Sequence, residues 1–471
     1  MTDQVQSAPA PRSPLLAEIL PRSYRIAFAL VVFAAFLTQA KFIPTIDNNL
    51  GPFEVVGMAL IGAFLLSPRT RRPLILNPAN RAMLAILLVA AISLLNIDAD
   101  RLGAGLINLA IQLFLVLFLV TLFNVQSQYR VSPERILGLT ALALLVVGPW
   151  IIVAGLNAQD LVQDVGPFRN RAHMASYMLT AFWIVLMYSQ WPRTGWFHRV
   201  AAYGGVAMTL YAVAVAGRRS VYLSLVIGLA ALGAAVLASS HGRRVRLIVA
   251  GLFVVGLIYV MYNYGPRYLP QLGFFQDRVG MIDDRLGSAL AVSEEEAAEK
   301  SFFALQREGV RHAFTAHPLL GIGWGGFAKS QYSPTGHEVH STPLRFLAET
   351  GLVGLTLYAL FMMAVLRSVW ISYLAMRNTA YNNSYMVLAV GFSSLTVSYA
   401  YNRHITERTF WLLMAVIFAA ELFAARVRAA QQLLAEESPP VETSSLAPGA
   451  VDDPRHRLPT SHPWPSPSRS A

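Results

Sequence analysis

The chain has 471 residues, of which 55% are hydrophobic and only 13% charged, and its mean hydropathy is +0.48. A soluble domain cannot bury that much apolar surface, so the composition excludes a soluble protein and predicts a membrane protein. The formal charge of +11 would favour nucleic acid binding in a soluble chain. Here most arginines lie in short loops between apolar runs, as the positive-inside bias predicts, so no nucleic acid partner is expected. The absence of cysteine excludes a disulfide framework and a thiolate metal site.

Twelve apolar runs follow one another along the chain, several of them short for a hydrocarbon core of about 30 Å. We expect each run to be a helix, because lipid cannot satisfy the open edge of a sheet. The runs occupy residues 26–44, 52–67, 82–97, 104–123, 136–155, 174–190, 200–216, 221–239, 247–262, 350–366, 384–401 and 409–424. The predicted fold is therefore all-α, a polytopic membrane protein with about 12 transmembrane helices.

The arginines orient the predicted bundle. An N-terminus in the cytoplasm, with the first run as an uncleaved anchor, places most loop arginines on the cytoplasmic side. They are Arg69, Arg71, Arg72, Arg81, Arg130, Arg135, Arg193, Arg199, Arg243, Arg244, Arg246, Arg367, Arg377, Arg426 and Arg428. The opposite orientation would export nearly all of them, so we predict the first.

With this orientation the longest connection, residues 263–349, lies on the outer side. An acidic, alanine-rich piece at 293–300 precedes helical spacing from Ser301 to Ala316, which Pro318 ends. In chain order, the predicted organisation is a cytoplasmic segment at 1–25, nine spans within 26–262, the outer loop at 263–349, three spans within 350–425, and a disordered cytoplasmic tail at 426–471. The tail is rich in Pro, Ser and charge, which is typical of disorder.

A minority of arginines fall on the outer side, against the positive-inside bias. They are Arg169 and Arg171, which flank Asn170 before the sixth run, Arg218 and Arg219, which occupy a four-residue connection before the eighth, and Arg307 and Arg311 in the long loop. Each arginine alone fits snorkelling to lipid phosphates. Together they favour a fork of donors for a phosphate or pyrophosphate, which suits guanidinium geometry.

His340 ends the long loop directly before the tenth run, so we expect it near the membrane surface. An unperturbed pKa near 6.5 lets a histidine take a proton from a hydroxyl at neutral pH. His337 and His340 do not have the spacing of an HExxH zinc motif, and no third ligand is evident, so no metal is expected.

Gly321 and Gly323 belong to a glycine-rich run that closes on Phe327. The run is not a nucleotide loop, because it lacks the Gly-Lys-Ser/Thr sequence and follows no strand. Its glycines let the backbone approach a bulky head group or fold tightly under the loop.

Together these motifs resemble the O-antigen ligase family of bacterial membrane glycosyltransferases. The family hallmark is His followed by Asn, Ser or Gln, then nine residues and GxxG. His340-Ser341, residues 342–350, Gly351 and Gly354 match it.

Other elements of the family precede this hallmark. One element consists of an arginine, a helix, the sequence Pro-x-x-Gly-x-Gly and then an aromatic residue. In this chain its residues are Arg307, Pro318, Gly321, Gly323 and Phe327. Arg219 corresponds to an arginine in a short outer loop, and residues 166–170 resemble a further element before a span. The chain departs from the family at Arg218, where a serine is usual, and at Arg311, where a large apolar residue is frequent.

The resemblance implies transfer of a glycan from an undecaprenyl-pyrophosphate-linked donor at the periplasmic face of the bacterial inner membrane. Its acceptor would be a hydroxyl of the lipid A-core. His340 would take the proton from that hydroxyl, while Arg219 and Arg307 hold the departing pyrophosphate. The candidates for substrate binding are Arg218, Arg311, Arg169, Arg171, Asn170, Gly321 and Gly323. No metal, nucleotide or other cofactor is required, because the sugar is already activated.

Three acceptors remain open within this family: the lipid A-core for a ligase, a growing lipid-linked glycan for an O-antigen or exopolysaccharide polymerase, and a protein hydroxyl for an oligosaccharyltransferase. The outer loop at 263–349 suits a ligase or a polymerase, and no large additional C-terminal outer domain is evident for holding a protein substrate. We rank the ligase first, the polymerase close behind it and the oligosaccharyltransferase third. The alternative from another class is a transporter of the lipid-linked glycan. Transporters usually have polar or broken helices at the membrane midplane, whereas the polar residues here collect at one face.

Overall fold

A computed structural model describes residues 22–37, 51–66, 73–157, 171–192, 195–216, 219–239, 294–328, 330–401 and 407–437. All regular structure within these ranges is helical, as the sequence predicted. The helices are α1 (Arg22–Phe36), α2 (Pro52–Leu66), α3 (Pro78–Ser93), α4 (Leu102–Tyr129), α5 (Pro133–Asn157), α6 (Arg171–Ser189), α7 (Trp196–Ala216), α8 (Arg219–Ser239), α9 (Glu294–Ala316), α10 (Thr342–Met376), α11 (Asn382–Tyr401) and α12 (Arg408–Glu437). Two 3-10 turns, Leu94–Asn96 and Ala99–Arg101, join α3 to α4.

Eleven of the twelve predicted apolar runs overlap these helices. Residues 38–44 of the first run, residue 67 of the second and the whole run at 247–262 lie outside the described residues. Within the described ranges, five segments are long and apolar enough to cross a membrane: Pro78–Asn96, Ala99–Tyr129, Pro133–Ile151, Thr342–Met376 and Arg408–Leu433. The structure therefore has the helices of a membrane protein. The total of about twelve spans and the side of the long loop remain predictions.

The predicted helix in the long connection is present as α9, which begins at Glu294 and ends at Ala316. Helix α10 differs from the prediction, because it begins at Thr342 rather than at residue 350. Ser341 caps its N-terminus and Pro343 lies in its first turn, and both residues favour helix initiation. The predicted start at residue 350 lies beside an interruption at Gly351, where the backbone leaves the helical conformation (φ 65°, ψ −161°).

The chain divides into two compact units, Met1–Arg426 and Val427–Ala471, and only residues 427–437 of the second are described. In the first unit, the residues of α12 from Arg408 to Ala420 are buried around the whole helix circumference. Phe410 packs on Phe361, and Phe418 on Phe123, while the Tyr385 hydroxyl donates to the carbonyl of Ala420 at 2.8 Å. A helix that is apolar on all sides occupies the centre of a bundle, and α12 does so here.

The starts of α6, α8, α10 and α12 lie at one end of this bundle, which we call the histidine end. The hydroxyl of Tyr177 in α6 accepts from the backbone N–H of Arg408, the first residue of α12. The hydroxyl of Thr180 in α6 lies 3.5 Å from the hydroxyl of Tyr399, near the end of α11. Helices α6, α7 and α8 are joined by short connections, which makes neighbours antiparallel and gives α8 the direction of α6. The start of α10 lies there too, because Ser341 donates to the carbonyl of Ala400.

The opposite end of the bundle carries arginines predicted to be cytoplasmic. Helix α4 starts at the histidine end and runs to Tyr129, whose ring lies 5.1 Å from that of Tyr24 in α1. The arginines at this second end include Arg81, Arg130, Arg135, Arg199 and Arg377. His340 and Ser341 therefore lie at the opposite end of the described helices from these arginines.

Candidate active site

His340 is half-buried and directly precedes the N-cap of α10. The hydroxyl of Ser341 accepts from the backbone N–H of Leu344 at 3.5 Å and donates to the carbonyl of Ala400 at 2.7 Å. One serine thus caps α10 and ties it to the end of α11. The histidine is therefore attached to two helices of the bundle through its neighbour.

Gln306 in α9 binds the segment that carries His340. Its side chain is 2% exposed. The amide nitrogen lies 3.0 Å from the carbonyl oxygen of Glu338 and 3.2 Å from Nδ1 of His340. The amide oxygen accepts from the backbone N–H of His340 at 3.4 Å. A single buried side chain therefore contacts both ends of the segment 338–340.

The surroundings of Nδ1 bear on the tautomer of His340. Nδ1 lies 3.1 Å from the carbonyl oxygen of Glu338, which can only accept a hydrogen bond, and 3.2 Å from the amide nitrogen of Gln306, which can only donate one. When Nδ1 carries the proton it donates to this carbonyl, and Nε2 across the ring is the nitrogen that can act as a base. The same carbonyl stabilises the imidazolium that forms when Nε2 takes up a proton. This arrangement suits a general base.

Helix α9 presents Arg307 and Arg311 on an exposed face, four residues apart and therefore side by side. Its other face is buried: Val310 and Ala313 pack with Phe327 and Val339 in an apolar cluster. Gln306 lies on this buried side, and Arg307 is the next residue along the helix. Arg307 and Arg311 therefore lie on the same helix as Gln306, the residue that contacts His340.

The other predicted arginines are described only in part. Arg171 and Arg219 are the first residues of α6 and α8, so their backbones lie at the histidine end, and their side chains are outside the described part of the structure. Arg169, Asn170 and Arg218 also lie outside it. Their roles in substrate binding remain predictions.

The glycine motifs lie against each other. The backbone N–H groups of Ile322 and Gly323 donate to the carbonyls of Ala348 and Glu349, at 3.0 and 3.1 Å. In return, Leu352 and Val353 donate to the carbonyls of Pro318 and Leu319, at 2.9 and 3.2 Å. The interruption at Gly351 breaks the backbone hydrogen bonds within α10. The backbone carbonyls before it and the N–H groups after it are therefore available to bond with the glycine-rich turn.

Only glycine fits at these contacts. Gly321 and Gly351 have φ near 66° and 65°, a conformation that L-residues rarely adopt. A Cβ at Gly321 would overlap the backbone of Glu349, and one at Gly351 would overlap the carbonyl of Leu319. A Cβ at Gly323 would meet Ile97 at 2.7 Å. These contacts give Gly321 and Gly323 a packing role that the sequence prediction left open, whereas their contact with substrate remains a prediction.

A buried ion pair supports the same segment from within. Nε of Arg345 lies 2.9 Å from the Glu349 carboxylate, and the side chains are 2% and 0% exposed. Nη2 of Arg345 donates to Oδ1 of Asn108 in α4 at 3.2 Å. The guanidinium carbon lies 4.7 Å from the centre of the Trp324 ring. Glu349 also accepts from the backbone N–H of Gly325 at 2.8 Å. This cluster joins the first half of α10 to α4 and to the glycine turn.

A second ion pair lies at the same end of the bundle. Arg408 donates to both carboxylate oxygens of Glu54, at 2.9 and 3.1 Å, and this bidentate pair joins the starts of α2 and α12. The Glu54 side chain is 15% exposed. Its partner is 354 residues distant in the chain.

Sequence reasoning missed Gln306 and the pair Arg345–Glu349 as parts of this region. A signal for the pair exists, since an arginine and a glutamate four residues apart share one face of a helix, but the predicted helix began only at residue 350. Gln306 has no such signal, because its partners belong to a segment more than 30 residues away. Within the described ranges no three His, Asp or Glu side chains converge on a possible metal position, and metal independence remains a prediction.

A scan against protein-family models and a search of curated proteins find no match to this chain.

Proposed function

We propose that this protein is a metal-independent glycosyltransferase of the O-antigen ligase type. It moves a glycan from an undecaprenyl-pyrophosphate-linked donor to a hydroxyl acceptor, with the lipid A-core as the favoured acceptor. The observation that carries the proposal is the placement of His340, whose Nδ1 is held beside the helix that presents Arg307 and Arg311. Helices α6 and α8 begin with Arg171 and Arg219 at the same end of the bundle.

The proposal includes the membrane topology. The protein has about twelve spans in the bacterial inner membrane, residues 263–349 form the periplasmic loop, and the histidine end faces the periplasm. The arginines at the opposite end then lie in the cytoplasm, in keeping with the positive-inside bias.

In the proposed reaction, Nε2 of His340 accepts the proton of the acceptor hydroxyl. The oxygen forms a bond to the anomeric carbon of the donor sugar, and the bond from that carbon to the pyrophosphate oxygen breaks. Undecaprenyl pyrophosphate leaves with the electron pair. Proton transfer by a positioned histidine contributes about 10²–10⁴-fold to such a step.

The arginines act on the leaving group. Negative charge grows on the pyrophosphate as the glycosidic bond breaks, so fixed guanidinium groups stabilise the transition state more than the ground state. Arg307 and Arg219 have this role, and Arg311, Arg171, Arg169 and Arg218 contribute to donor binding. An exposed helix face that carries two arginines supports this assignment.

The test is glycan transfer by the His340→Ala variant, produced in a strain from which the gene for this protein has been deleted. We expect the surface polymer to be restored by the wild-type chain and not by the variant, since loss of the base lowers the rate by about 10²-fold or more. The polymer is identified as O-chain on lipopolysaccharide, free exopolysaccharide or glycosylated protein, which also identifies the acceptor. Glycan transfer by His340→Ala at the wild-type level, with equal abundance in the membrane, would exclude His340 as the general base. Retention of all three polymers in the deletion strain would contradict the proposed function.

A further inference from the structure

Gln306 contacts the segment 338–340, and the proposed reaction assigns it no role. Its carboxamide binds the segment 338–340 as a neighbouring peptide group would, because it donates to one carbonyl and accepts from an N–H two residues later. The amide orientation is fixed by these two partners, since the reverse orientation would set oxygen against oxygen and N–H against N–H. Val339 between them is fully buried in the apolar cluster under α9.

This geometry connects Gln306 to the chemistry of His340. The carbonyl of Glu338 receives the Gln306 amide and also lies 3.1 Å from Nδ1 of His340. A shift of the segment would therefore move both the histidine backbone and the acceptor that faces its ring. Because Arg307 follows Gln306 in the same helix turn, one helix carries both the residue that contacts His340 and Arg307.

We propose that Gln306 is the positioning residue of His340. It fixes the carbonyl of Glu338 and the backbone N–H of His340, and in this way it holds the imidazole in the position from which the base acts. This role rests on the proposed function, in which His340 is the general base. Gln306 itself contacts neither sugar nor pyrophosphate.

The test uses two substitutions of Gln306 in the full chain, reconstituted in nanodiscs. Gln306→Met keeps the length of the side chain and removes all its hydrogen bonds. Gln306→Glu keeps the shape and an acceptor for the His340 N–H, but it replaces the donor to Glu338 by an oxygen. Leu305→Met is the matched control, since Leu305 is an exposed apolar residue of the same helix.

The donor is lipid-linked glycan extracted from the deletion strain, in which unused donor accumulates. We expect kcat to fall about 10- to 100-fold in both variants, because a small displacement of a catalytic group has an effect of this size. The donor KM stays within about twofold, because the arginines that bind the pyrophosphate are unchanged. A residue needed only for folding would lower the yield of folded protein and leave kcat per folded molecule unchanged, so gel filtration is used to count folded protein.

The outcomes separate the two proposals. An inactive His340→Ala together with a Gln306→Met or Gln306→Glu variant of wild-type kcat overturns the role of Gln306 and leaves the proposed function in place. A change in donor KM at constant kcat also overturns that role. An active His340→Ala overturns the proposed mechanism and the role of Gln306 with it.

Discussion

At the residue scale, the described charges that are most buried serve packing rather than the proposed chemistry. Arg345 and Glu349 are almost inaccessible, and each has additional polar partners besides the other. A buried pair of this kind contributes little net stability, but removal of one partner leaves an uncompensated charge. The candidate arginines Arg307 and Arg311 are instead exposed. The guanidinium of Arg345 is therefore structural, whereas those of Arg307 and Arg311 are accessible to a substrate.

Glu349→Gln should destabilise the protein by about 3–5 kcal/mol, because it leaves the guanidinium of Arg345 buried without a counter-charge. The double variant Arg345→Met/Glu349→Gln should recover part of this loss, since the amide oxygen can still accept from the N–H of Gly325. Glu308→Gln is the control, because this glutamate is 65% exposed on α9. The midpoint of thermal denaturation in detergent, followed by gel filtration, is measured for the wild-type chain and the three variants. Equal midpoints for Glu349→Gln and Glu308→Gln would contradict the prediction.

At the scale of elements, the interruption of α10 explains why two glycine motifs occur together. The turn 318–323 and the helix on either side of Gly351 exchange four backbone hydrogen bonds, which an uninterrupted helix could not provide. Helix α10 therefore has a short first part that follows His340 and a long second part, and the turn that follows α9 fastens the junction. Through this junction α9 and α10 hold a fixed relation near the candidate base.

Gly351→Ala should destabilise this junction by about 1–3 kcal/mol from backbone strain alone, with a further loss from the overlap with Leu319. The matched control is Gly233→Ala in α8, where nothing lies within 4 Å of the added Cβ. That substitution should be neutral or slightly stabilising, since alanine favours a helix by about 0.5–1 kcal/mol. The thermal midpoints of the two variants are compared with that of the wild-type chain. The same midpoint for Gly351→Ala and wild type would show that the interruption is not needed.

At the scale of the whole molecule, the bundle separates two kinds of polar residue. The histidine end has His340, the capping Ser341 and the Glu54–Arg408 pair, and the other end has the arginines between α4 and α5 and between α10 and α11. A helical membrane protein with this separation has a defined orientation under the positive-inside bias. Topology is thus the property by which the whole molecule can be tested.

The absence of cysteine from the chain allows a direct measurement of topology. Gln331→Cys near His340 and Asn378→Cys between α10 and α11 each add one thiol at an exposed position. We expect a membrane-impermeant maleimide to label the first in spheroplasts and the second only after permeabilisation. Labelling in the reverse order would place the histidine end in the cytoplasm and exclude the proposed reaction, since its donor glycan is on the periplasmic side.

The sequence by itself determined the helices of this protein, because the burial of an apolar run in a membrane depends on local composition and length. It also indicated the start of α9 and the position of His340 next to a helix. Only the tertiary structure decided that Gln306 holds His340, that Arg408 pairs with Glu54, and that Gly321 lies against an interrupted α10. These contacts join residues 34, 354 and about 30 positions apart. Their geometry depends on how helices pack, and apolar periodicity within one run carries no information about the partner across the bundle.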